Sequence, residues 1–174
     1  ATPVGGNNGT TRGQQRLNVL QRAAAIWGPH LVSTIPIRIG VQFAGNFSCA
    51  QNPGDFVYLA FAGPSAYYTG NPPQPPNPVI YPVALRNAIV GNVADPSTPE
   101  ITLRISPLMD NQPGCLIGTT GFWYGISPDI APPSDSTRFP LLPLVLHEIA
   151  HALGFAQNHN LQNGSGFPPY YYTF

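Results

Sequence analysis

Two histidines and a glutamate stand close together near the C-terminal end of the chain, in the sequence His147-Glu148-Ile149-Ala150-His151. Residues i and i+4 of an α-helix lie one turn apart on the same face, so two imidazoles at this spacing can bind one Zn²⁺. Glu148 can take a proton from the attacking water and pass it to a leaving amine. The spacing therefore predicts a zinc hydrolase in which His147 and His151 are metal ligands and Glu148 is the general base.

This motif is rare by chance in a chain that contains 4 His and two Glu. At those frequencies the odds of a random match are roughly one in a thousand. The alternative is a buried helix whose two histidines form hydrogen bonds with backbone groups. Burying these three polar side chains without a metal would cost about 1–3 kcal/mol for each group left without a partner. The pattern therefore favours a metal site.

The element that must position the motif is a predicted helix over residues 141–155, with the sequence LLPLVLHEIAHALGF. It is apolar on nearly every side, as is typical of a helix buried in a core. Pro140 and Pro143 suit the first turn of a helix, and Gly154 suits its C-terminal end.

Hydrophobic periodicity predicts that the other elements are a mixture of helices and strands. A helix over residues 12–27 is indicated by Leu17, Leu20, Ala24 and Trp27, which recur at helical spacing. A short helix is predicted over residues 82–90. Strands are predicted over residues 35–43, 56–62, 101–105 and 119–126, of which the second is continuously apolar and therefore expected to be buried. The fold class is α+β, with one domain over residues 1–174, a flexible start at 1–10 and an irregular segment at 156–174.

The composition excludes several classes of protein. Only 8% of the residues are charged and the formal net charge is zero, against roughly 25% charged residues in a typical soluble protein. Without a basic cluster the chain is not expected to bind nucleic acid. No apolar run reaches the roughly 18 residues of a membrane span. A surface with so few charges also favours association, so we expect self-association through this charge-poor surface as a second property.

The chain contains 2 cysteines, Cys49 and Cys115. One pair in such a chain fits a single disulfide formed in an oxidising compartment, and two buried free thiols are the alternative. The chain begins at Ala1 without a leader, which is typical of a mature secreted protein. The sequence therefore predicts a secreted, extracellular protein with a Cys49–Cys115 disulfide.

The motif continues to Gly154 and resembles the first eight positions of the metzincin motif HExxHxxGxxH. Three stretches also resemble a group of secreted bacterial zinc metalloproteases that often carry a protease-associated domain, and this resemblance covers most of residues 9–155. The stretches are GTTRGQQRLNVLQRAAAIWG, GCLIGTTGFWYG and LPLVLHEIAHALGF. The resemblance implies a zincin-like N-terminal subdomain, in which a twisted mixed sheet accompanies a long N-terminal helix and a buried active-site helix. It also implies a Zn²⁺ cofactor, a protein or peptide substrate, and an edge strand that binds this peptide, for which residues 101–106 or 119–126 would serve.

The third zinc ligand departs from this family pattern. The third metzincin histidine would fall on Gln157, and glutamine is a poor zinc ligand. His159 lies two positions later and is the conventional ligand that remains downstream, because no Asp or Glu follows Glu148. We therefore include His159 as the third ligand, with a residue beyond Phe174 as the alternative. The metzincin Met-turn is also absent, since the single Met109 precedes the zinc helix.

Three functions remain open at the level of sequence. The first is a secreted zinc endopeptidase. The second is a catalytically weak or inactive protein on a zincin scaffold, which acts as a structural, self-assembling extracellular component; the uncertain third ligand and the charge-poor surface motivate it. The third is a metal-dependent hydrolase of a non-peptide substrate. The chain ends 19 residues after Phe155, and is interpreted either as a processed or truncated fragment or as a reduced fold.

Overall fold

The structure, a computed structural model, describes residues 1–50, 52–69, 80–127, 130–132 and 137–155. These residues have the α+β fold that the sequence predicted. The described helices are α1 (Arg12–Trp27), α2 (Val83–Val90), α3 (Leu108–Asn111) and α4 (Leu141–Leu153), and Gly28–His30 form a 3₁₀ turn after α1. The described strands are β1 (Ile39–Gln42), β2 (Ala60–Pro64), β3 (Tyr67–Thr69), β4 (Ile80–Pro82), β5 (Ile101–Ile105), β6 (Gly121–Trp123) and β7 (Arg138–Pro140).

Helix α1 has the predicted bounds, but its buried residues are not the apolar residues whose spacing predicted it. Thr11 is the N-cap, since its side-chain oxygen accepts a backbone N–H from the first turn. The residues that α1 buries are Gln15, Val19 and Ala23. Leu17, one of the apolar residues whose spacing predicted the helix, is exposed. Gln15 can be buried because its amide donates to the carbonyls of Thr2 and Gly9, so a satisfied polar side chain takes a core position.

Strand β5 is the centre of a three-stranded sheet with the order β1-β5-β2. It matches the predicted strand, and the alternate side chains Ile101, Leu103 and Ile105 are fully buried. Strand β1 is shorter than the predicted 35–43. Strands β3 and β4 form an antiparallel pair, and β6 and β7 form a parallel pair. Since β5 is central, β1 and β2 are the edges of the three-stranded sheet.

The prediction of a buried strand over residues 56–62 is wrong in its position and its burial. The strand that forms, β2, begins only at Ala60. Phe56 and Tyr58 precede it with exposed side chains, which contact each other edge to face at 5.2 Å between ring centroids. A continuous apolar run can therefore lie at the surface, because aromatic rings can pack on one another there.

The chain divides into two compact units, each with its own buried side chains. The first unit comprises Ala1–Leu31, Gln42–Phe61 and Arg104–His147, and the second comprises Val32–Val41, Ala62–Leu103 and Glu148–Phe174. Buried side chains of the first unit include Val19, Ala23, Met109, Phe122, Leu141 and Val145. Buried side chains of the second unit include Tyr81, Val83, Ile101, Leu103, Ile149 and Ala152.

In the first unit, Cys49 and Cys115 form the predicted disulfide. The two cysteines are 66 residues apart in the sequence. In the chain-entropy model, a disulfide that closes a loop of this length contributes roughly 4 kcal/mol to stability. The N–H of Ala50 also donates to the carbonyl of Cys115 at 2.8 Å. As for the described helices, none is both long enough and apolar enough to cross a membrane.

The segment before α1 is held by specific contacts in the first unit. Asn7 is buried, and its side-chain amide donates to the carbonyls of Gln15 and Tyr124 at 2.9 and 2.7 Å. The carbonyl of Gly5 accepts the N–H of Ile126 at 2.8 Å. These contacts join residues 4–9 to α1 and to the backbone that follows β6.

The second unit contains an ion pair between the buried Glu100 and the partly exposed Arg38. Both carboxylate oxygens of Glu100 accept hydrogen bonds from Arg38, at 2.7 Å from its backbone N and at 3.2 and 2.8 Å from its guanidinium. Asn87, itself buried, donates to the same carboxylate at 3.2 Å. Burial would raise the pKa of Glu100, but the hydrogen bonds and the charge of Arg38 outweigh burial and hold it below its usual value.

Candidate functional site

Helix α4 carries the histidines and the glutamate of the motif and ends just after them. Apolar side chains cover its buried side. Gly154 follows its last residue with a positive φ of 116°, a conformation that favours glycine. The side chains that α4 buries include Leu141, Leu142, Val145, Ile149 and Ala152. His147 is exposed, His151 is half-buried, and Glu148 is buried. The predicted helix is therefore confirmed, and its geometry places residues 147 and 151 one turn apart.

The ring of His151 is oriented by the backbone at the end of α4. Its Nδ1 lies 2.8 Å from the carbonyl oxygen of Phe155. Because a carbonyl oxygen only accepts hydrogen bonds, Nδ1 must carry the proton, and in the neutral ring Nε2 is then the basic nitrogen. Histidines that ligate metals usually donate their second ring N–H to a carbonyl or carboxylate in this way. The tautomer of His151 therefore suits a metal ligand that binds through Nε2.

The carboxylate of Glu148 is held by the backbone of strand β2. Its Oε2 accepts the N–H of Ala62 at 2.9 Å. Only 8% of Glu148 is exposed, yet it forms no ion pair with an Arg of the described residues. Among the described residues this backbone bond fixes Oε2, and none of them donates to Oε1.

The N–H of Ala62 is available to Glu148 because of its place in the sheet. Along β2, backbone groups alternate between the two edges of the strand. The N–H of Ser65 donates to the carbonyl of Glu100 next to β5, at 3.0 Å, so Ala62, three residues earlier, directs its N–H to the opposite edge. That edge has no partner strand among the described strands. Glu148 therefore lies at the unpaired edge of β2.

The strand order corrects one expectation about substrate. Residues 101–106 were expected to serve as a peptide-binding edge, but β5 is paired on both sides. The second candidate, residues 119–126, forms only the three-residue strand β6, which pairs with β7. The edge that lies beside the motif belongs instead to β2. Sequence reasoning missed this role because the contact is made by a backbone N–H, which no side-chain pattern reports.

The third ligand is not settled by the described residues. His159 and Gln157 lie outside them, as does everything after Phe155. Within the described ranges, no group of three His, Cys, Asp or Glu side chains is close enough to hold a metal. His147 and His151 are thus two predicted ligands of an incomplete set.

Comparisons with protein-family models, curated proteins and solved structures found no match for this chain. The function is therefore inferred from the chemistry and geometry of the residues alone.

Proposed function

We propose that the chain is a secreted zinc-dependent endopeptidase with a zincin-like fold, in which His147 and His151 bind Zn²⁺ and Glu148 is the general base. The observation that carries the proposal is the pair of contacts on helix α4. His151 has the tautomer of a ligand, fixed by the carbonyl of Phe155 at 2.8 Å. Glu148 is buried beside a strand edge without a charged partner among the described residues. Both features fit a metal hydrolase better than a structural helix.

The donor set present on α4 fits zinc. Imidazole nitrogen is a common zinc ligand, and catalytic zinc sites usually take three protein ligands. His159, or a residue beyond Phe174, would complete the set. When bound, Zn²⁺ supplies Lewis acidity, which polarises a peptide carbonyl and makes water acidic enough to react near neutral pH.

Glu148 performs the proton transfers in this proposal. Ala62 holds Oε2 at 2.9 Å, so Oε1 receives the proton of the attacking water. The same carboxyl group then gives that proton to the leaving amine. Since Ala62 fixes the orientation of the carboxylate, we classify its N–H as a positioning group.

The peptide substrate would lie along the unpaired edge of β2. An extended peptide can add to such an edge through main-chain hydrogen bonds. This geometry brings the scissile bond beside Glu148, because that carboxylate already contacts the edge at Ala62. The disulfide and the low charge of the chain support secretion into an oxidising compartment.

The proposal is tested by a substrate panel with the zinc-loaded chain. Casein, peptides of about ten residues and small carboxylic esters are incubated with the protein, with and without a chelator. We expect internal cleavage of casein and peptides that stops with the chelator and returns with Zn²⁺. Hydrolysis of the esters alone would support the non-peptide hydrolase instead, and no chelator-sensitive hydrolysis of any substrate would contradict both.

Self-association is the second candidate function, and exposed aromatic side chains favour it. Phe56 and Tyr58 are exposed before β2, and Phe61 within β2 is also exposed. Exposed aromatic side chains on a chain of low charge are of the kind that mediates association. Sedimentation measured over a range of protein concentrations tests this function. Ordered oligomers that are lost in a Phe56→Ser, Tyr58→Ser double variant would support it, and a monomer at every concentration would refute it.

A further inference from the structure

The first unit contains a cavity that has no residue of the motif in its lining. Its volume is about 610 Å³, within the range of sites for small organic ligands. The wall is formed by residues 1–4, the first turn of α1, α3, strand β6 and the start of β7. The side chains that matter for its chemistry are Arg12, Gln15, Asp110, Trp123, Tyr124 and Arg138.

The acidic group in this cavity is already neutralised. Asp110 accepts a hydrogen bond from Arg16 at 2.8 Å and another from the hydroxyl of Tyr124. Arg16 itself does not line the cavity. The carboxylate of Asp110 therefore adds no net negative charge to the wall, because the guanidinium beside it balances the charge.

Arg12 places a positive charge in the wall of the cavity, and helix stability does not explain its position. It is the first residue of α1, where the helix dipole disfavours a cation, and no acidic residue occupies that first turn. Its guanidinium donates at 3.2 Å to the side-chain oxygen of Asn111, which is a neutral group. An anion in the cavity would be attracted both by this guanidinium and by the N-terminus of the helix.

Trp123 provides an independent sign that the cavity binds a ligand. The side chain is only 6% exposed, and its indole N–H is buried without a hydrogen-bond partner among the described residues. Its six-membered ring packs on Gly5 and Gly125, where a Cβ would overlap the ring. The N–H belongs to the other ring of the indole. A buried donor of this kind normally has an acceptor. Trp123 lines the cavity but its indole nitrogen has almost no accessible surface, so a ligand there would accept from the N–H once the indole ring turns toward it.

We propose that this cavity binds a small organic carboxylate, which Arg12 neutralises and to which the indole N–H of Trp123 donates. A carboxylate offers the two features that the wall requires, a negative charge and more than one acceptor oxygen. The volume leaves room for an organic group attached to it. The site is independent of the zinc proposal, since none of its residues lies in the motif.

The test follows the indole N–H signals of the folded chain by nuclear magnetic resonance. The chain has 2 Trp, and Trp27, whose indole donates to Leu146, serves as the internal reference. Three probes are titrated: hexanoate, hippurate, and the neutral hippuramide. We expect saturable shifts of the Trp123 signal with the carboxylates and no shift with the amide. Tighter binding of hexanoate would assign the site to free acids, and tighter binding of hippurate would assign it to carboxylates that follow a peptide group.

Two matched variants distinguish binding in the cavity from a nonspecific effect of the charge on α1. Arg12→Gln should weaken carboxylate binding about tenfold, because a charge-assisted bond is lost. Arg22→Gln changes the same charge on the same helix, outside the cavity, and should leave the affinity unchanged. Trp123→Phe, with binding measured by calorimetry and folding by circular dichroism, should also weaken it. The proposal is overturned if the Trp123 signal does not move at about 10 mM probe, if the amide binds as well as the acids, or if the two arginine variants behave alike.

Discussion

The two glutamates of this chain are both buried in the second unit, yet their surroundings are opposite. Glu100 is 1% exposed and receives hydrogen bonds from Arg38 and Asn87 on both oxygens. Glu148 is 8% exposed, and the one hydrogen bond that it accepts from the described residues comes from the backbone of Ala62. A carboxylate that serves stability has its charge balanced and its lone pairs occupied. A carboxylate that transfers protons needs one oxygen fixed and the other available to water, and the proposed function assigns these roles to Oε2 and Oε1 of Glu148.

The largest effect expected from this comparison is on catalysis by Glu148. Glu148→Gln keeps the size of the side chain and an oxygen that can accept from Ala62, but it cannot take up a proton. We expect peptide hydrolysis by the zinc-loaded chain to fall by about 10² to 10⁴, while the melting temperature changes little. The rate of cleavage and the melting curve of the same sample are the two measurements. A Glu148→Gln variant that cleaves as fast as the parent would remove Glu148 from the mechanism.

The opposite result is expected for Glu100. Glu100→Gln leaves Arg38 without its countercharge and weakens several hydrogen bonds, which we expect to lower the free energy of unfolding by about 2 kcal/mol. In a chain of this size that corresponds to a fall in melting temperature of about 4–8 °C. Activity per folded molecule should remain that of the parent at a temperature well below the melting point. If Glu100→Gln lost activity without losing stability, the division of roles between the two glutamates would be wrong.

A smaller effect is expected when the group that positions Glu148 is removed. Ala62→Pro deletes the N–H that Glu148 accepts, and proline is tolerated where the N–H of an edge strand faces outward. We expect kcat to fall about tenfold, equivalent to about 1.4 kcal/mol in the barrier, with KM less affected. Ala62→Gly keeps the N–H and is the matched control. Equal rates for the proline and glycine variants would show that this hydrogen bond does not position the base.

The smallest effect concerns the dependence of stability on pH. The pKa of Glu100 is lowered in the folded chain, because the hydrogen bonds from Arg38 outweigh burial. A lowered carboxyl pKa adds stability above the unfolded pKa, about 4.3, and that contribution is lost as the pH falls through the folded pKa. Below about pH 4.3, the free energy of unfolding of the parent should therefore fall more steeply with decreasing pH than that of Glu100→Gln. If the free energies of unfolding of the two proteins fell equally with decreasing pH, this linkage would be contradicted.

Parts of the fold could be predicted because they depend on local pattern. Helix α1 and the central strand β5 are recognisable from periodicity, and the Cys49–Cys115 disulfide from cysteine counting. The buried face of α1 could not be predicted. Gln15 reaches the core because distant carbonyls accept its amide protons, and hydrophobic spacing carries no information about those partners. The surface position of Phe56 could not be predicted either, because it depends on the contact between its ring and that of Tyr58.

The candidate site was predictable only in the residues that the motif contains. His147, Glu148 and His151 follow from their spacing on one helix. The backbone partners, Ala62 for Glu148 and Phe155 for His151, depend on tertiary geometry and are visible only in the folded chain. The third ligand, for which His159 was proposed, falls outside the described residues and remains a prediction.

The most direct test of the central claim, that helix α4 holds a zinc ion beside a positioned base, is zinc X-ray absorption on the purified chain. It is performed on the parent and on a His147→Ala, His151→Ala double variant, with His30→Ala as the control for the loss of an exposed histidine. We predict about one zinc per chain, with imidazole nitrogens at about 2.0–2.1 Å in the parent and in His30→Ala. The double variant should retain no zinc. A parent that retains no zinc, or a double variant that keeps the same coordination shell, would contradict the claim.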